Sequence, residues 1–177
     1  MFRLSSVILS LCFLVSCATT QVPIAKPIDV RLAPPKYQQM LQKIKSLATP
    51  RHGSENSQLY INYDSPAVNA ITWDNGDIVL HKGLLIYARA DEEIAGVIGH
   101  EYCHILHGDL GRGRNVPSIT VEREADDCGL RLSMKAGYNC HKAIQLWFRY
   151  AKDHPNYVST THPTPIERYQ ALKRICR

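Results

Sequence analysis

"VIGHEYCHILHGD", residues Val97 to Asp109, is the stretch on which the reading of this chain turns. It holds His100 and His104 four apart, Glu101 directly after the first, and Gly108 where a helix would close. With Asp91 ahead of it as a capping residue, the stretch predicts the second half of a helix running from Asp91 to Gly108. On a helix, residues i and i+4 project from one face about one turn apart, so both imidazoles can aim at a single ion. That is the spacing a zinc ion needs. Glu101 lies about 100° around the helix from His100. It can take a proton from a water activated by the ion without ligating the ion itself, which makes it the candidate general base.

A catalytic zinc ordinarily takes three protein ligands and keeps a fourth position open. The metzincin pattern asks for a histidine six residues after His104, and that position is Leu110, so the subclass is excluded. Downstream comes "VEREADD", which sets Glu122 and Asp126 four apart on one face of the next helix. Glu122 can supply the third ligand, and Asp126 can accept the free ring N–H of a ligating histidine. Taken singly, these are a histidine stripe and a solvated acidic face. Their combination favours a metal site, while Glu124 and Asp127 read as solvated charges. Cys103 projects away from the face shared by His100 and His104 and reads as a packing residue or half of a disulfide. His107 reads as a histidine facing the negative end of its helix.

With 177 residues, 45% of them hydrophobic, the chain suits one compact domain. The net charge of +5 is spread along the chain, with no basic run or aromatic-interleaved stripe, which argues against a nucleic-acid partner. The opening "MFRLSSVILSLCFLVSCATT" reads as an export signal, too short to span a bilayer. Leu14, Val15, Ser16 and Cys17 resemble the lipobox of bacterial lipoproteins, with ordinary cleavage near Ala18 as the rival; both export the protein. The expected division is a lipoprotein signal peptide over 1–16, a tether over 17–34 and a folded domain carrying the zinc site over 35–177. Acylated Cys17 would hold that domain to a membrane, and Ala18 after it resembles the outer-membrane sorting pattern, placing it on the periplasmic face. In an oxidising compartment Cys103, Cys128, Cys140 and Cys176 can pair in three ways, which sequence cannot separate. No C-x-x-C pair is present for a thiolate zinc ribbon.

The remaining elements follow from periodicity. "PKYQQMLQKIKSLA" predicts a first helix that ends before Pro50. "QLYINYD", "AVNAITW" and "DIVLHK" predict a small antiparallel sheet, the last two runs joined by a hairpin at Asp74, Asn75 and Gly76. Further helices are expected over "GLLIYARA", from Ser118 to Ala136 with a stop at Gly137, over "CHKAIQLWFRYAKD", and from about Pro165 after the loop "HPNYVSTTHPTP". This is an α+β arrangement, a small sheet packed on several helices that include the one carrying the two histidines.

Four segments, "VNAITWDNGDIVLHKGLL", "DEEIAGVIGHEYCHILHGD", "VEREAD" and "THPTPIER", resemble metallopeptidase family 48 in order and spacing. This is the gluzincin family that includes heat-shock membrane peptidases and CAAX prenyl endopeptidases; the likeness is to its small exported members. The resemblance implies a zincin-like fold and one zinc ion per chain, with His100, His104 and Glu122 as ligands and Glu101 as base. It also implies Asp126 as support for a ligand, His162 near the metal, and Arg168 beside His162. Two roles are open to His162: donor to the oxyanion, or latch in the fourth zinc position. Within these residues the chain departs from the family's pattern in having no multi-helix membrane portion, no helical-repeat part and no Ser-Arg pair ahead of "VEREAD". The expected activity is hydrolysis of unfolded or misassembled polypeptides in the cell envelope. The rival is an outer-membrane chaperone or binding module whose zinc site is latched.

Overall fold

A computed structural model describes residues 28–50, 54–110 and 118–176. The signal segment and the lipidation position Cys17 lie outside the described residues. The first described element is strand β1 (Val30–Leu32), inside the stretch expected to be tether, and it leads into α1 (Pro35–Lys45). Strands β2 (Leu59–Asn62), β3 (Ala70–Thr72) and β4 (Ile78–His81) follow, then α2 (Lys82–Tyr87) and α3 (Asp91–His107). The last part is helical: α4 (Ile119–Lys135), α5 (Cys140–Ala143), α6 (Gln145–Asp153) and α7 (Pro165–Lys173).

The expected antiparallel sheet is mixed. Its order is β1-β2-β4-β3, with the hairpin pair β3 and β4 antiparallel as expected, but β2 and β4 parallel. The cause is visible in β4. Ile78, Val79 and Leu80 are buried without alternation, so this strand takes a central place and β2 lies on its far side. That leaves β3 as an edge. Its register turns the N–H and C=O of Ala70 and Thr72 away from β4, toward the open side.

Asp91 is the first helical residue of α3 rather than its cap. Ala90 stands at the cap, and Asp91 pairs instead with Lys36 of α1 at 2.6 Å. The helix expected over 140–153 is broken at Ile144 into α5 and α6. Helix α4 begins as expected, with the Ser118 hydroxyl accepting from Val121 N–H at 3.2 Å, and is followed by Gly137 at φ 85°. Thr164 and Glu167 close a reciprocal capping box at the start of α7.

Helix α3 runs through the middle of the molecule, against α1, α4, α5 and β3. Its apolar side, with Ile98, Tyr102 and Ile105, meets Leu41 and Ile44 of α1 and Leu59, Ile61, Ile78 and Leu80 of the sheet, all fully or almost fully buried. Each such side chain contributes roughly 1.5–3 kcal/mol relative to exposure. Against α4 the contact is backbone to backbone. A Cβ on Gly129 would stand 2.4 Å from the nitrogen of His100, and one on Gly99 would stand 2.5 Å from the Gly129 carbonyl oxygen. The disulfide Cys103–Cys128 joins the same two helices, and Cys140–Cys176 ties α5 to the end of the chain. The first pair therefore braces the two helices that carry His100, His104, Glu122 and Asp126.

Candidate metal centre

The close crossing of α3 and α4 sets the geometry of the site. His100 and His104 leave α3 on one face, their rings 4.7 Å apart and nearly perpendicular, with the two Nε2 atoms separated by 3.1 Å. Glu122 reaches in from α4, its Oε2 at 3.3 Å from His100 Nε2 and its Oε1 at 3.7 Å from His104 Nε2. One ligand atom from each of the three residues lies within 4.8 Å of the others.

The other ring nitrogens fix the tautomers. His100 Nδ1 lies 3.0 Å from Asp126 Oδ1, and His104 Nδ1 lies 3.0 Å from Asp109 Oδ2. A carboxylate accepts, so each Nδ1 carries a hydrogen, and in the neutral ring each Nε2 is left with a lone pair. Two lone pairs facing each other at 3.1 Å repel unless a cation lies between them. Among the described residues Glu122 Oε2 is buried without a hydrogen bond, its approach to His100 being close but off line. A buried carboxylate oxygen in that condition is costly unless a positive charge meets it. The donor set fits a metal ion.

The electrostatics point the same way. Burial and the Arg168 charge would lower the pKa of His100, but Asp126 and Glu122 outweigh them and carry it up to about 9. Burial would raise Glu122, yet the neighbouring His100, His104 and His162 hold it below the usual carboxylate range. Burial likewise opposes ionisation of Asp126, and Arg168 and His100 hold it far below that range. A pocket that draws a proton onto a buried imidazole attracts any small cation.

Arg168 approaches from α7. Its Nε donates to Asp126 Oδ2 at 2.8 Å, its terminal nitrogen donates to Asp126 Oδ1, and its guanidinium stacks 3.5 Å over the centre of the Trp147 ring. That terminal nitrogen also lies 3.2 Å from His100 Nδ1, but both are donors, so the two converge on Asp126 rather than on each other. Trp147 belongs to α6, which is held to α3 by Arg149, donating to both oxygens of the buried Glu93 at 2.6 Å. Arg168 thus acts on the site through Asp126.

Glu101 is buried beside the ligands. Its Oε2 accepts from the Thr72 hydroxyl on β3 at 2.7 Å, and among the described residues its Oε1 has no hydrogen-bond partner. His162 lies in the loop before α7, its Nε2 at 3.5 Å from Glu122 Oε1 and its side chain 42% exposed. Its Nδ1 is 2.7 Å from the Thr161 hydroxyl, and its backbone N–H donates to Ser159 Oγ at 3.0 Å. His162 therefore stands at the rim, beside Glu122 and outside the cluster of three.

A cavity of about 440 Å³ opens onto these groups. Leu84, Val97, Leu146, Trp147 and Tyr150 form an apolar wall, and Ala70, Ile71 and Thr72 of the edge strand form another side. The structure brings together all seven residues expected from the sequence: His100, Glu101, His104, Glu122, Asp126, His162 and Arg168. Two further groups were missed. Asp109 follows Gly108, whose φ of 73° folds the chain back so that Asp109 N–H donates to the His104 carbonyl at 3.0 Å. A glycine closing the helix was the available signal. Thr72 carried none, because its partner lies 29 residues away across the sheet edge.

Comparison with known proteins agrees with this architecture. The model of peptidase family M48 matches residues 34–120 and 114–176. The chain is 24% identical over 149 residues to a putative beta-barrel assembly-enhancing protease of Vibrio cholerae, covering 57% of this chain and 31% of that protein. It is 26% identical over 173 residues to the mitochondrial metalloendopeptidase OMA1 of Arabidopsis thaliana, covering 76% of this chain and 36% of that protein. The chain spans about a third of the length of these curated relatives. Since the family match runs through both halves of the metal site and most of the sequence, this chain belongs to peptidase family M48, whose members are metallopeptidases.

Proposed function

We propose that the protein is a zinc-dependent endopeptidase with a gluzincin-type site, acting on unfolded or misassembled polypeptides in the cell envelope. The observation that carries this reading is the convergence of His100 Nε2, His104 Nε2 and the Glu122 carboxylate, with Glu101 alongside. Ligand atoms around a tetrahedral zinc stand about 3.3 Å apart. The 3.1 Å between the two Nε2 atoms and the 3.3 Å from His100 Nε2 to Glu122 Oε2 are close to that edge, and the other carboxylate oxygen lies 3.7 Å from His104 Nε2.

When bound, the zinc ion supplies Lewis acidity, polarising the scissile carbonyl and acidifying a water beside it. Glu101 takes the proton from the attacking water through Oε1 and returns it to the leaving amine. Asp126 and Asp109 keep the Nε2 lone pairs of His100 and His104 free by accepting at Nδ1. His162, at the rim, donates to the oxygen that gains charge as the carbonyl is attacked. The substrate lies extended along the open edge of β3, where the main-chain groups of Ala70 and Thr72 face away from β4, and main-chain pairing tolerates varied side chains.

No helix among the described residues is long and apolar enough to cross a membrane. Attachment to the outer membrane, facing the periplasm, is assigned to an acylated Cys17, and mass spectrometry of the mature N-terminus tests it. The name of the Vibrio relative supports an envelope setting.

The decisive experiment compares the purified wild type with Glu101→Gln for zinc content and casein cleavage. Equal zinc with cleavage only by the wild type is expected. Full zinc without Glu101-dependent cleavage sinks the reading and leaves a binding module. For His162→Ala, lost activity with zinc retained supports the donor role, and raised activity supports a latch.

A further inference from the structure

Glu101 does not stand free in the cleft. The Thr72 hydroxyl lies 2.7 Å from its Oε2 and 3.2 Å from its own backbone carbonyl, so one hydroxyl hydrogen faces two acceptors on the same residue. The carboxylate is nearer and charged, so the hydrogen goes to it. This contact fixes the rotation of the carboxyl group about its last bond and occupies Oε2. Oε1, without a partner among the described residues, is left as the oxygen free to receive a proton.

Thr72 is also the last residue of the edge strand β3. Its side chain points down to α3 while its own N–H and C=O face the open edge, because the hydrogen-bonded positions toward β4 are Asn69, Ile71 and Trp73. The residue that would pair with an extended peptide is the residue that holds the base.

We propose that Thr72 is a positioning residue, whose hydroxyl orients the Glu101 carboxylate and links substrate pairing at the β3 edge to the placement of the base. This rests on the hydrolase reading given above. A hydrogen bond to a charged group is worth enough for its loss to slow turnover by roughly ten- to a hundredfold. Because only the orientation of the base is lost, the defect falls on kcat.

The test uses the full chain loaded with zinc, with casein as the probe. Thr72→Val keeps the branched shape that suits a strand and removes only the hydroxyl, whereas Thr72→Ser keeps the hydroxyl and loses the methyl group. The expected result is a lower kcat for Thr72→Val at unchanged KM, zinc content and Tm, with most of the rate recovered in Thr72→Ser. A Thr72→Val protein as fast as the wild type overturns the inference. So does a Thr72→Ser protein no faster than Thr72→Val, since the methyl packing would then be what matters. If the zinc-loaded wild type itself fails to cleave, the hydrolase reading falls and takes this inference with it; where the wild type cleaves, the two variants isolate the contribution of the Thr72 hydroxyl.

Discussion

Asp109 Oδ2 lies 3.0 Å from His104 Nδ1, so the second histidine of the helix has a carboxylate behind it just as the first has Asp126. The left-handed turn at Gly108 creates this contact by bringing the chain back over the last turn of α3. Such partners fix the ring and raise its basicity as a ligand, and their loss typically costs about 10–100-fold in metal affinity. Asp109→Asn is therefore expected to weaken zinc binding by that order in a chelator competition. Asp109 lies beyond the helix core, so the midpoint of urea unfolding without zinc should move little. Unchanged zinc affinity would mean that the contact holds only the turn.

Arg168 and Asp126 form a buried pair, stacked on Trp147. Removing one partner of such a pair leaves an uncompensated buried charge, at a cost of about 3–5 kcal/mol. Arg168→Ala is expected to lose stability toward the lower end of that range in denaturant unfolding, because His100 Nδ1, 3.0 Å from Asp126, still meets the carboxylate. Arg168→Ala combined with Asp126→Asn should recover part of the loss, because the orphaned charge is gone. Equal losses in the single and double variants would show that Arg168 acts through packing on Trp147 alone.

The parts of this site legible in the sequence are those that share an element. His100, Glu101 and His104 follow from one helical turn, and Glu122 and Asp126 from another. His162 and Arg168 were reachable only through family resemblance, since no local spacing ties them to the metal. Asp109 and Thr72 were missed because their partners are set by a left-handed turn and by the seating of β3 on α3. The sheet shows the same limit. Periodicity identified β2, β3 and β4, but strand order depends on which strand is buried on both faces, so the parallel pairing of β2 with β4 went unread. The short β1 has too few residues to carry a period. Of the three possible cysteine pairings, the one formed follows from helix packing, with Cys103 and Cys128 facing each other where α3 and α4 cross.

The raised pKa of His100, about 9, predicts how metal binding depends on pH. An unperturbed histidine titrates near ~6.5. A folded-state value above that adds stability to the zinc-free protein that is full below the unfolded value and lost as pH rises through about 9. Zinc needs the neutral ring, so at pH 7 binding expels a proton. Calorimetry in two buffers of different ionisation enthalpy should report about one proton released, and apparent zinc affinity should rise about tenfold per pH unit from 7 toward 9. No proton release and a flat affinity over that range would remove His100 as the protonated member of the cluster.

Gly129 carries the most severe geometric constraint on the site. A Cβ there would stand 2.4 Å from His100 N and 2.6 Å from Gly99 C, and both are backbone atoms of a buried helix that cannot rotate aside. Gly129→Ala must separate α3 from α4, and the Cys103–Cys128 disulfide resists that separation. Overpacking of this kind typically costs about 1–3 kcal/mol. The consequence specific to this site is that His100 and Glu122 sit on opposite sides of the opened seam, so zinc affinity should fall more than fold stability accounts for. Calorimetric zinc binding and thermal unfolding of Gly129→Ala, with Gly96→Ala as a control whose Cβ makes only an ordinary 3.6 Å contact, measure the two effects separately. Retention of wild-type zinc affinity by Gly129→Ala would show that the metal centre does not depend on the close approach of these two helices.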